Sequence, residues 1–291
     1  MINTTLLMSD ALNFSVEQAI NPYYFNSTTN QDKAHSEHDA IISALTQAGV
    51  EVIRHPSPAT SQDGVYTANW ALVRGNTAIL ARLPNVRRTE EKYAKGILES
   101  LGKHVIEVPE GLRFSGQGDA LPCGNYLFCG KGYRSDEEAQ KFAADTLGYT
   151  RIQLQTIPQR DAHGTPIVNA ISGWEDSFYY DIDLALSILR EPTDTTPGLI
   201  AYCKEAFTKE SQTTLSQLPT EVFETILIDE KEAMEGFAAN LISTGESIVM
   251  SNNAPLLAAE LKRRGFTVYT PDVTELAKGG GYIRCTSLSI G

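Results

Sequence analysis

The feature that most constrains this fold is a recurring cycle of two short strands, a helix and a third strand. Two predicted hairpins have their turns at residues 74–76 and 124–125, where glycine and asparagine separate apolar, β-rich runs. After each hairpin, the apolar residues first follow the spacing of a helix and then that of a strand. These segments are a helix over 90–101 with a strand over 104–108, and a helix over 136–147 with a strand over 151–155.

The remainder of the chain fits the same order less completely. A spacing of about fifty residues between cycles is typical of radial or solenoid repeats, although a two-layer α/β sandwich gives a similar alternation. No linker divides the chain, and residues 156–177 are predicted to form a surface loop. The further predicted elements are a helix over 34–48 and a strand over 50–53; a strand over 198–203, a helix beginning near 213 and a strand over 224–228; and a strand over 246–250, a helix over 255–265 and a strand over 267–269.

Composition and charge limit the classes of partner. The chain has 291 residues, 42% of them hydrophobic and 21% charged, with a formal net charge of -12. An acidic balance disfavours nucleic-acid and anionic-membrane partners, and no apolar run has the length of a membrane span. The N-terminus has no basic segment followed by a long apolar one, and the four cysteines match neither a metal site nor a disulfide framework. We therefore expect a cytoplasmic protein without a metal or cofactor.

The candidate nucleophile lies close to the C-terminus. Three glycines at 279–281 permit a tight turn and a close approach of a ligand to the backbone. Cys285 follows, with Arg284 beside it as a possible source of the positive charge that favours a thiolate. From this segment alone, a buried and unreactive cysteine ending a last strand is the favoured interpretation.

Four other segments indicate the same chemistry by their order. They read DGVYTANW at 63–70, FSGQGDAL at 114–121, GKGYRSD at 130–136 and DIDLAL at 181–186. With Cys285, the set resembles the guanidine-modifying superfamily of dimethylarginine dimethylaminohydrolases, arginine deiminases and dihydrolases, and amidinotransferases. The resemblance extends from about residue 20 to Cys285. It implies one domain over residues 1–291, folded as a five-bladed α/β propeller (pentein) of ββαβ modules around a central channel.

The resemblance also implies roles for individual residues. Cys285 would attack the guanidinium carbon, and the resulting thiouronium adduct would divide one difficult substitution into two easier ones. Asp183 and Asp119 would face the guanidinium, and Arg134 would hold a substrate carboxylate. Taken singly, these residues would also suit turns or helix caps. The further substrate-binding candidates are Asn69, Asn21 and Asn240. Arg82 and the Arg87–Arg88 pair are weaker candidates than Arg134 for binding the carboxylate.

Two positions depart from the superfamily pattern. Relatives carry His-x-Asp where this chain has DID at 181–183, and Phe-Glu-Gly where it has FSG at 114–116. The histidine and glutamate that form an acid–base pair in relatives are thus replaced by Asp181 and Ser115. An aspartate is ordinarily ionised near neutrality, and it serves as an acid only if burial or a neighbouring carboxylate raises its pKa. His163 is the one histidine that the sequence offers as a replacement.

Two functions remain open from the sequence. The first is a Cys-dependent hydrolase, of the dimethylargininase or arginine dihydrolase type, acting on the guanidino or ureido group of an arginine-like small molecule with Asp181 as its altered acid–base residue. The second is a catalytically impaired member that binds a guanidino ligand or a protein partner. An amidinotransferase has no sequence feature in its favour. Both functions allow a homodimer.

Overall fold

The part of the chain that the structure describes contains fifteen strands and six α-helices. The structure is a computed structural model, and it describes residues 2–24 and 28–291. The helices are α1 (Gln31–Gln47), α2 (Thr89–Ser100), α3 (Glu137–Leu147), α4 (Lys209–Ser216), α5 (Glu230–Met234) and α6 (Pro255–Arg263). The strands are β1 (Thr5–Ser9), β2 (Glu51–His55), β3 (Ala71–Arg74), β4 (Thr77–Leu80), β5 (His104–Glu107), β6 (Ala120–Cys123), β7 (Tyr126–Gly130), β8 (Thr150–Leu154), β9 (Leu186–Arg190), β10 (Gly198–Tyr202), β11 (Phe223–Leu227), β12 (Ile242–Ser243), β13 (Ser247–Val249), β14 (Thr267–Tyr269) and β15 (Leu288–Ser289).

Four of the five sheets repeat one three-stranded pattern. In the sheets β3-β4-β5, β6-β7-β8, β9-β10-β11 and β12-β13-β14, the first two strands are antiparallel and the last two are parallel. A parallel pair needs a crossover connection, and α2, α3, α4 and α6 provide it. The ββαβ module that the sequence predicts is therefore confirmed.

The fifth sheet joins the two ends of the chain. Its order is β15-β1-β2, with β1 antiparallel to β15 through the pairs Leu6–Ser289 and Leu7–Leu288. β1 is parallel to β2, and α1 forms the crossover between them. This sheet has the same ββαβ order as the others, but its first strand comes from the C-terminal segment.

Helix α1 illustrates why these segments fold where they do. Ala34, Ile41 and Leu45 recur at helical spacing and are fully buried. Asn30 caps the helix, because its side chain accepts a hydrogen bond of 3.0 Å from the backbone N–H of Lys33. The apolar face packs α1 against the core, and the cap fixes the residue at which the helix begins.

The differences from the sequence prediction have local causes. Helix α4 begins at Lys209, four residues before the predicted start, because Thr208 caps it by accepting from the N–H of Ser211. Strands β12 and β15 are two residues long, which is too short for an alternating pattern, and β1 and β9 were also not predicted. Residues 156–177 contain turns and isolated bridges but no helix or named strand, as expected for the predicted loop.

Among the described residues, no helix is both long and apolar enough to cross a membrane.

Candidate active site

Five predicted site residues lie one to three residues before the first strands of the five sheets. Asn69 precedes β3, Asp119 precedes β6, Asp183 precedes β9, Asn240 precedes β12 and Cys285 precedes β15. All five side chains are buried. The repeated module therefore places one chemically useful residue per sheet at equivalent positions.

The sulfur of Cys285 has two polar neighbours. Asn240 Nδ2 donates to Cys285 Sγ at 3.1 Å, and the thiol donates to Asp183 Oδ2 at 3.5 Å. The amide of Asn240 is held in place because its Oδ1 accepts from the Cys285 backbone N–H at 3.1 Å. The Cys285 side chain is thus fixed beside a carboxylate, and the residue is only 3% exposed.

The surroundings of Cys285 favour the thiol over the thiolate. Burial and the nearby Asp183 carboxylate raise the pKa of Cys285 well above its ordinary value. Arg284 does not contact the sulfur; its guanidinium donates to Gln117 Oε1 at 2.8 Å. Arg284 and Cys285 do interact through their charges, but burial and Asp183 outweigh this interaction, so the expected lowering of the Cys285 pKa is wrong. Positive charge from a bound molecule would favour the thiolate.

Asp181 occupies the position of the missing histidine. Its Oδ2 accepts from Asn69 Nδ2 at 2.7 Å, and the same amide lies 2.9 Å from Ser115 Oγ. Within the described residues, Asp181 Oδ1 is buried without a hydrogen-bond partner. Burial raises the pKa of Asp181, and Arg134 opposes the shift. His163 is exposed on the 156–177 loop, so the structure does not support it as the replacement.

Asp119, Asp181 and Asp183 form a cluster of buried carboxylates. Burial raises the pKa of both Asp119 and Asp183 well above the usual range, and the charge of Asp181 adds to each shift. Both oxygens of Asp119 already accept, from Ser135 Oγ at 2.7 Å and from the Ile182 N–H at 2.9 Å. Asp183 Oδ1 has no partner among the described residues. The cluster therefore has two oxygens, on Asp181 and Asp183, that are available to a cationic ligand.

A buried ion pair that was not predicted from the sequence orients Asn69. Arg87 donates to Glu90 through Nε and Nη2, each at 2.8 Å, and its Nη1 donates to Asn69 Oδ1 at 2.8 Å. Because Oδ1 is engaged by Arg87, the Nδ2 of Asn69 is directed towards Asp181. From the sequence alone, Arg87 is only a weak candidate for binding a carboxylate. Its spacing of three residues from Glu90 at the start of α2 was the available signal.

Arg134 lies beneath the N-terminal segment. Its Nη2 donates to the backbone carbonyl of Ile20 at 2.8 Å, and its guanidinium carbon lies 4.8 Å from the centroid of the Tyr180 ring. The negative charge of Asp176, on the 156–177 loop, is also close enough for Arg134 to lower its pKa, although burial raises that pKa more. Arg134 is thus buried between two loops and faces Asp181.

Asn21 holds the glycine-rich segment against the site. Its Nδ2 donates to the carbonyl of Gly279 at 3.0 Å, and the Tyr180 hydroxyl donates to the carbonyl of Gly280 at 2.8 Å. Gly280 has φ of 84°, and a Cβ there would lie 2.5 Å from Asn21 Oδ1. The position therefore requires glycine for both its conformation and its close contact.

Asp63 is a further candidate site residue, to which the sequence motifs assign no role. Its Oδ1 accepts from the Tyr24 hydroxyl, and its Oδ2 has no partner within residues 2–24 and 28–291. Burial raises the pKa of Asp63 to about 6, while Arg87 and Arg134 oppose the shift. An unpaired carboxylate oxygen near Arg134 suits the ammonium group of an amino acid.

The structure places Arg82 in a different environment. Its guanidinium is about one third exposed and forms ion pairs with Glu91 at 3.4 Å and Glu107 at 3.0 Å. These partners make Arg82 part of a surface ion-pair network, which corrects its assignment to the substrate site.

The carboxylate cluster predicts a pH dependence of stability. Asp119, Asp181 and Asp183 have raised pKa values in the folded state, so their contribution is present at low pH and is lost as the pH rises through those values. Buried His38, whose pKa is lowered to about 4, acts in the opposite direction below about pH 6.5. Above about pH 6.5, we expect the free energy of unfolding to fall as the pH rises, by up to about 1.4 kcal/mol per pH unit for each carboxyl that is protonated in the folded protein and ionised in the unfolded one.

Urea unfolding across this pH range measures the effect. Asp183→Asn should flatten the profile, whereas Asp145→Asn, at an exposed position on α3, should leave it unchanged. A wild-type stability that rises with pH in this range would contradict the carboxylate cluster as described.

Comparison with known proteins identifies the family. Residues 13–173, more than half of the chain, match the family described as N,N dimethylarginine dimethylhydrolase, eukaryotic. The chain belongs to this family. Its mixed α/β fold and its place among the guanidine-modifying enzymes agree with the resemblance noted from the sequence.

Two curated proteins are similar to this chain over most of its length. The chain is 28% identical over 285 residues to the N(G),N(G)-dimethylarginine dimethylaminohydrolase of Mycobacterium tuberculosis, and the match covers 95% of this chain and 82% of that protein. It is 26% identical over 291 residues to ArgZ, a bifunctional arginine dihydrolase/ornithine cyclodeaminase of Synechocystis, covering 98% of this chain. The chain spans only 37% of the length of ArgZ.

A solved structure matches the fold closely. A crystal structure of the N-terminal domain of ArgZ, with an asparagine-to-serine mutation and covalently bound to a reaction intermediate, has a TM-score of 0.84 and 25% identity. The match covers 99% of this chain and 97% of that domain. The chain thus corresponds to the N-terminal domain of ArgZ rather than to the whole bifunctional protein.

Proposed function

We propose that this chain is a Cys-dependent hydrolase of the guanidino or ureido group of an arginine-like small molecule. The observation that carries the proposal is the position of Cys285 Sγ, 3.5 Å from Asp183 Oδ2 in a buried cluster of three carboxylates. In this proposal the five modules form the blades of a propeller, with these residues at its centre. The relatives named above act on arginine and dimethylarginine, which supports this substrate class.

The geometry suits an amino acid with a guanidinium side chain. Asp181 Oδ1 and Asp183 Oδ1 would accept from the guanidinium, since both oxygens lack a partner among the described residues. Arg134 would bind the α-carboxylate, and Asp63 Oδ2 would accept from the α-ammonium group. A cation beside Asp183 would favour the ionised form of that carboxylate, while Asp181 would keep its proton for the leaving amine.

The same cation would activate the nucleophile. The thiol proton would move to Asp183 Oδ2, and the sulfur would form a bond to the guanidinium carbon. Collapse of the tetrahedral species would break a C–N bond, with protonated Asp181 supplying the proton that the leaving amine needs. Asp181, now ionised, would then take a proton from water as it attacks the thiouronium carbon. Cleavage of the C–S bond would release the hydrolysed product, Asp183 would return its proton to the sulfur, and the proton of the new hydroxyl group would leave to solvent as the carbonyl forms.

Burial supports Asp181 as the acid. Because its pKa is raised, part of the Asp181 population is protonated at pH values where an exposed aspartate is fully ionised. Asn69 fixes the carboxyl group through Oδ2 and leaves Oδ1 for the leaving amine. Ser115, in the place of the glutamate of relatives, lies beside the same amide and completes a neutral hydrogen-bonded support.

A catalytically impaired guanidino-binding protein is the second candidate. It is favoured by the replacement of both acid–base residues and by the raised pKa of Cys285. The two candidates share the binding site and differ in covalent chemistry, so a mass measurement on Cys285 separates them. A single domain over residues 1–291, a cytoplasmic location and a homodimer remain parts of the proposal; Cys123, Cys129, Cys203 and Cys285 are all free thiols, which suits a reducing compartment.

The Arg134 site gives a prediction for substrate binding. Because a desolvated, charge-assisted hydrogen bond contributes roughly 1.5–3 kcal/mol, Arg134→Ala should weaken binding by about tenfold or more. Arg134→Lys is the matched control: it keeps the charge but loses the planar pair of donors, and should fall between alanine and wild type. Calorimetric titration with arginine and dimethylarginine, in a Cys285→Ser background that prevents turnover, measures the difference. Equal affinities of the proteins with Arg134, Arg134→Ala and Arg134→Lys would show that Arg134 does not bind the substrate.

A further inference from the structure

A cavity of about 480 Å³ extends along the first strands of the sheets. Val73 of β3, Leu121 of β6, Ser187 of β9 and Ser289 of β15 line it, together with Leu241, which directly precedes β12. Residues from or beside the first strand of every sheet therefore line the same cavity. The cavity is a central feature of the fold rather than a groove on one module.

The cavity extends from residues beside Cys285 to the opposite ends of these strands. Asp183, which contacts the sulfur of Cys285, lines it, and Arg284 does so as well. Gly75 and Gly124, in the β3–β4 and β6–β7 turns, also line it. The site residues precede the first strands and the turns follow them, so the two groups are separated by about 13 Å for a strand of four residues.

Two residues that line this cavity each have a buried side-chain oxygen without a partner among the described residues. In the described part of the chain, neither Asp183 Oδ1 nor Ser187 Oγ forms a hydrogen bond, although both residues are almost completely buried. The carboxylate of Glu191, directly after β9, lies further along the same wall. The guanidinium of Arg284 is already engaged with Gln117 Oε1. A buried acceptor without a partner is unfavourable, so a small molecule with N–H donors fits this wall.

We propose that this cavity is a second port to Cys285, which takes ammonium and small alkylammonium ions. The inference rests on the proposed hydrolase, in which the amino-acid end of the substrate lies at Arg134 and the guanidinium lies at Asp183. The nitrogen that leaves is then the part of the substrate nearest the cavity. After the C–N bond breaks and Asp181 supplies a proton, the amine departs along Asp183, Ser187 and Glu191, while the rest of the substrate stays bound.

Thiol modification tests the port without requiring turnover. The probe is 2-aminoethyl methanethiosulfonate, whose alkylammonium group resembles the departing amine; the Cys285 thiolate forms a disulfide with it and methanesulfinate leaves. The anionic 2-sulfonatoethyl reagent is the control for charge. Peptide masses locate the label, and an alkaline buffer supplies enough thiolate. We expect the cationic reagent to modify Cys285 faster than the anionic one.

Substitutions at Ser187 test the route itself. Ser187→Leu fills the cavity beside Asp183 and should slow the cationic labelling of Cys285 by about tenfold, whereas Ser187→Ala leaves it open and should stay within about twofold of wild type. If the leucine variant does not fold, Ser187→Val gives a smaller obstruction with a side chain suited to a strand. Thermal unfolding verifies each variant.

Unchanged labelling in a folded Ser187→Leu or Ser187→Val variant, or no preference for the cationic reagent, would overturn the port. The outcome is separate from that of the hydrolase proposal. Labelling that depends on Ser187 in a chain without turnover would keep the port and reject the hydrolase. Turnover with labelling that ignores Ser187 would do the reverse.

Discussion

Replacing Cys285 by serine is expected to abolish turnover and the covalent adduct. A hydroxyl in this position is a much weaker nucleophile than a thiol that a bound cation helps to ionise, and loss of a catalytic nucleophile lowers kcat by a factor on the order of 10⁶. The change is small enough that the contacts of Asn240 with the Cys285 backbone should persist. Substrate binding should therefore survive while chemistry is lost.

Cys203→Ser is the matched control for that experiment. Cys203 is also a buried free thiol, but its sulfur lies near Tyr179 and Glu205 and not beside the carboxylate cluster. Steady-state release of amine and intact mass should both be near wild type in this variant. Turnover that persists in Cys285→Ser would show that the cysteine is structural.

Asp181→Asn is expected to lower kcat by about 10²–10⁴-fold, the usual contribution of a positioned acid or base. An amide of nearly the same shape cannot give up a proton to the leaving amine. The wild-type rate of adduct formation should also fall as the pH rises through the raised pKa of Asp181, because only the protonated acid is active. The asparagine variant should lack this decline. Single-turnover rates across the pH range measure both effects.

Restoring the residues of relatives gives a second test of the same position. If Asp181 and Ser115 are a weakened substitute for histidine and glutamate, Asp181→His combined with Ser115→Glu should raise turnover. If they have a chemistry of their own, the double variant should lose a wild-type activity that was already fast. If neither Asp181→Asn nor the double variant changes kcat relative to wild type, Asp181 takes no part in proton transfer.

Local signals in the sequence were sufficient for much of the fold. The hairpin at 124–125 and the strand over Thr267–Tyr269 follow from turn residues and β-rich runs, and both are present. The pairing of β1 with β15 could not be predicted in this way, because it joins the two ends of the chain and leaves no local pattern. That pairing also helps to position Cys285, which lies three residues before β15.

The candidate site also combines features that the sequence motifs predict with features that they do not. The order of the motifs brought Cys285, Asp183 and Asn240 to attention, and the structure places them in contact. Sequence adjacency was not sufficient to predict the pKa of Cys285, because burial and the Asp183 carboxylate outweigh the charge of Arg284, whose guanidinium binds Gln117. The orientation of Asn69 by Arg87 depends on burial and side-chain direction, which a motif does not specify.

Intact mass spectrometry of the protein, incubated with arginine, monomethylarginine, dimethylarginine and citrulline, tests the central claim most directly. The hydrolase account predicts that at least one compound gives a mass increase on wild type and on Cys203→Ser, located at Cys285, and none on Cys285→Ser. Acid quenching at short times captures the adduct before water resolves it. Calorimetric binding of a guanidino compound, with no adduct and no released amine at any time or pH, would contradict the account and leave a protein that binds this ligand without acting on it.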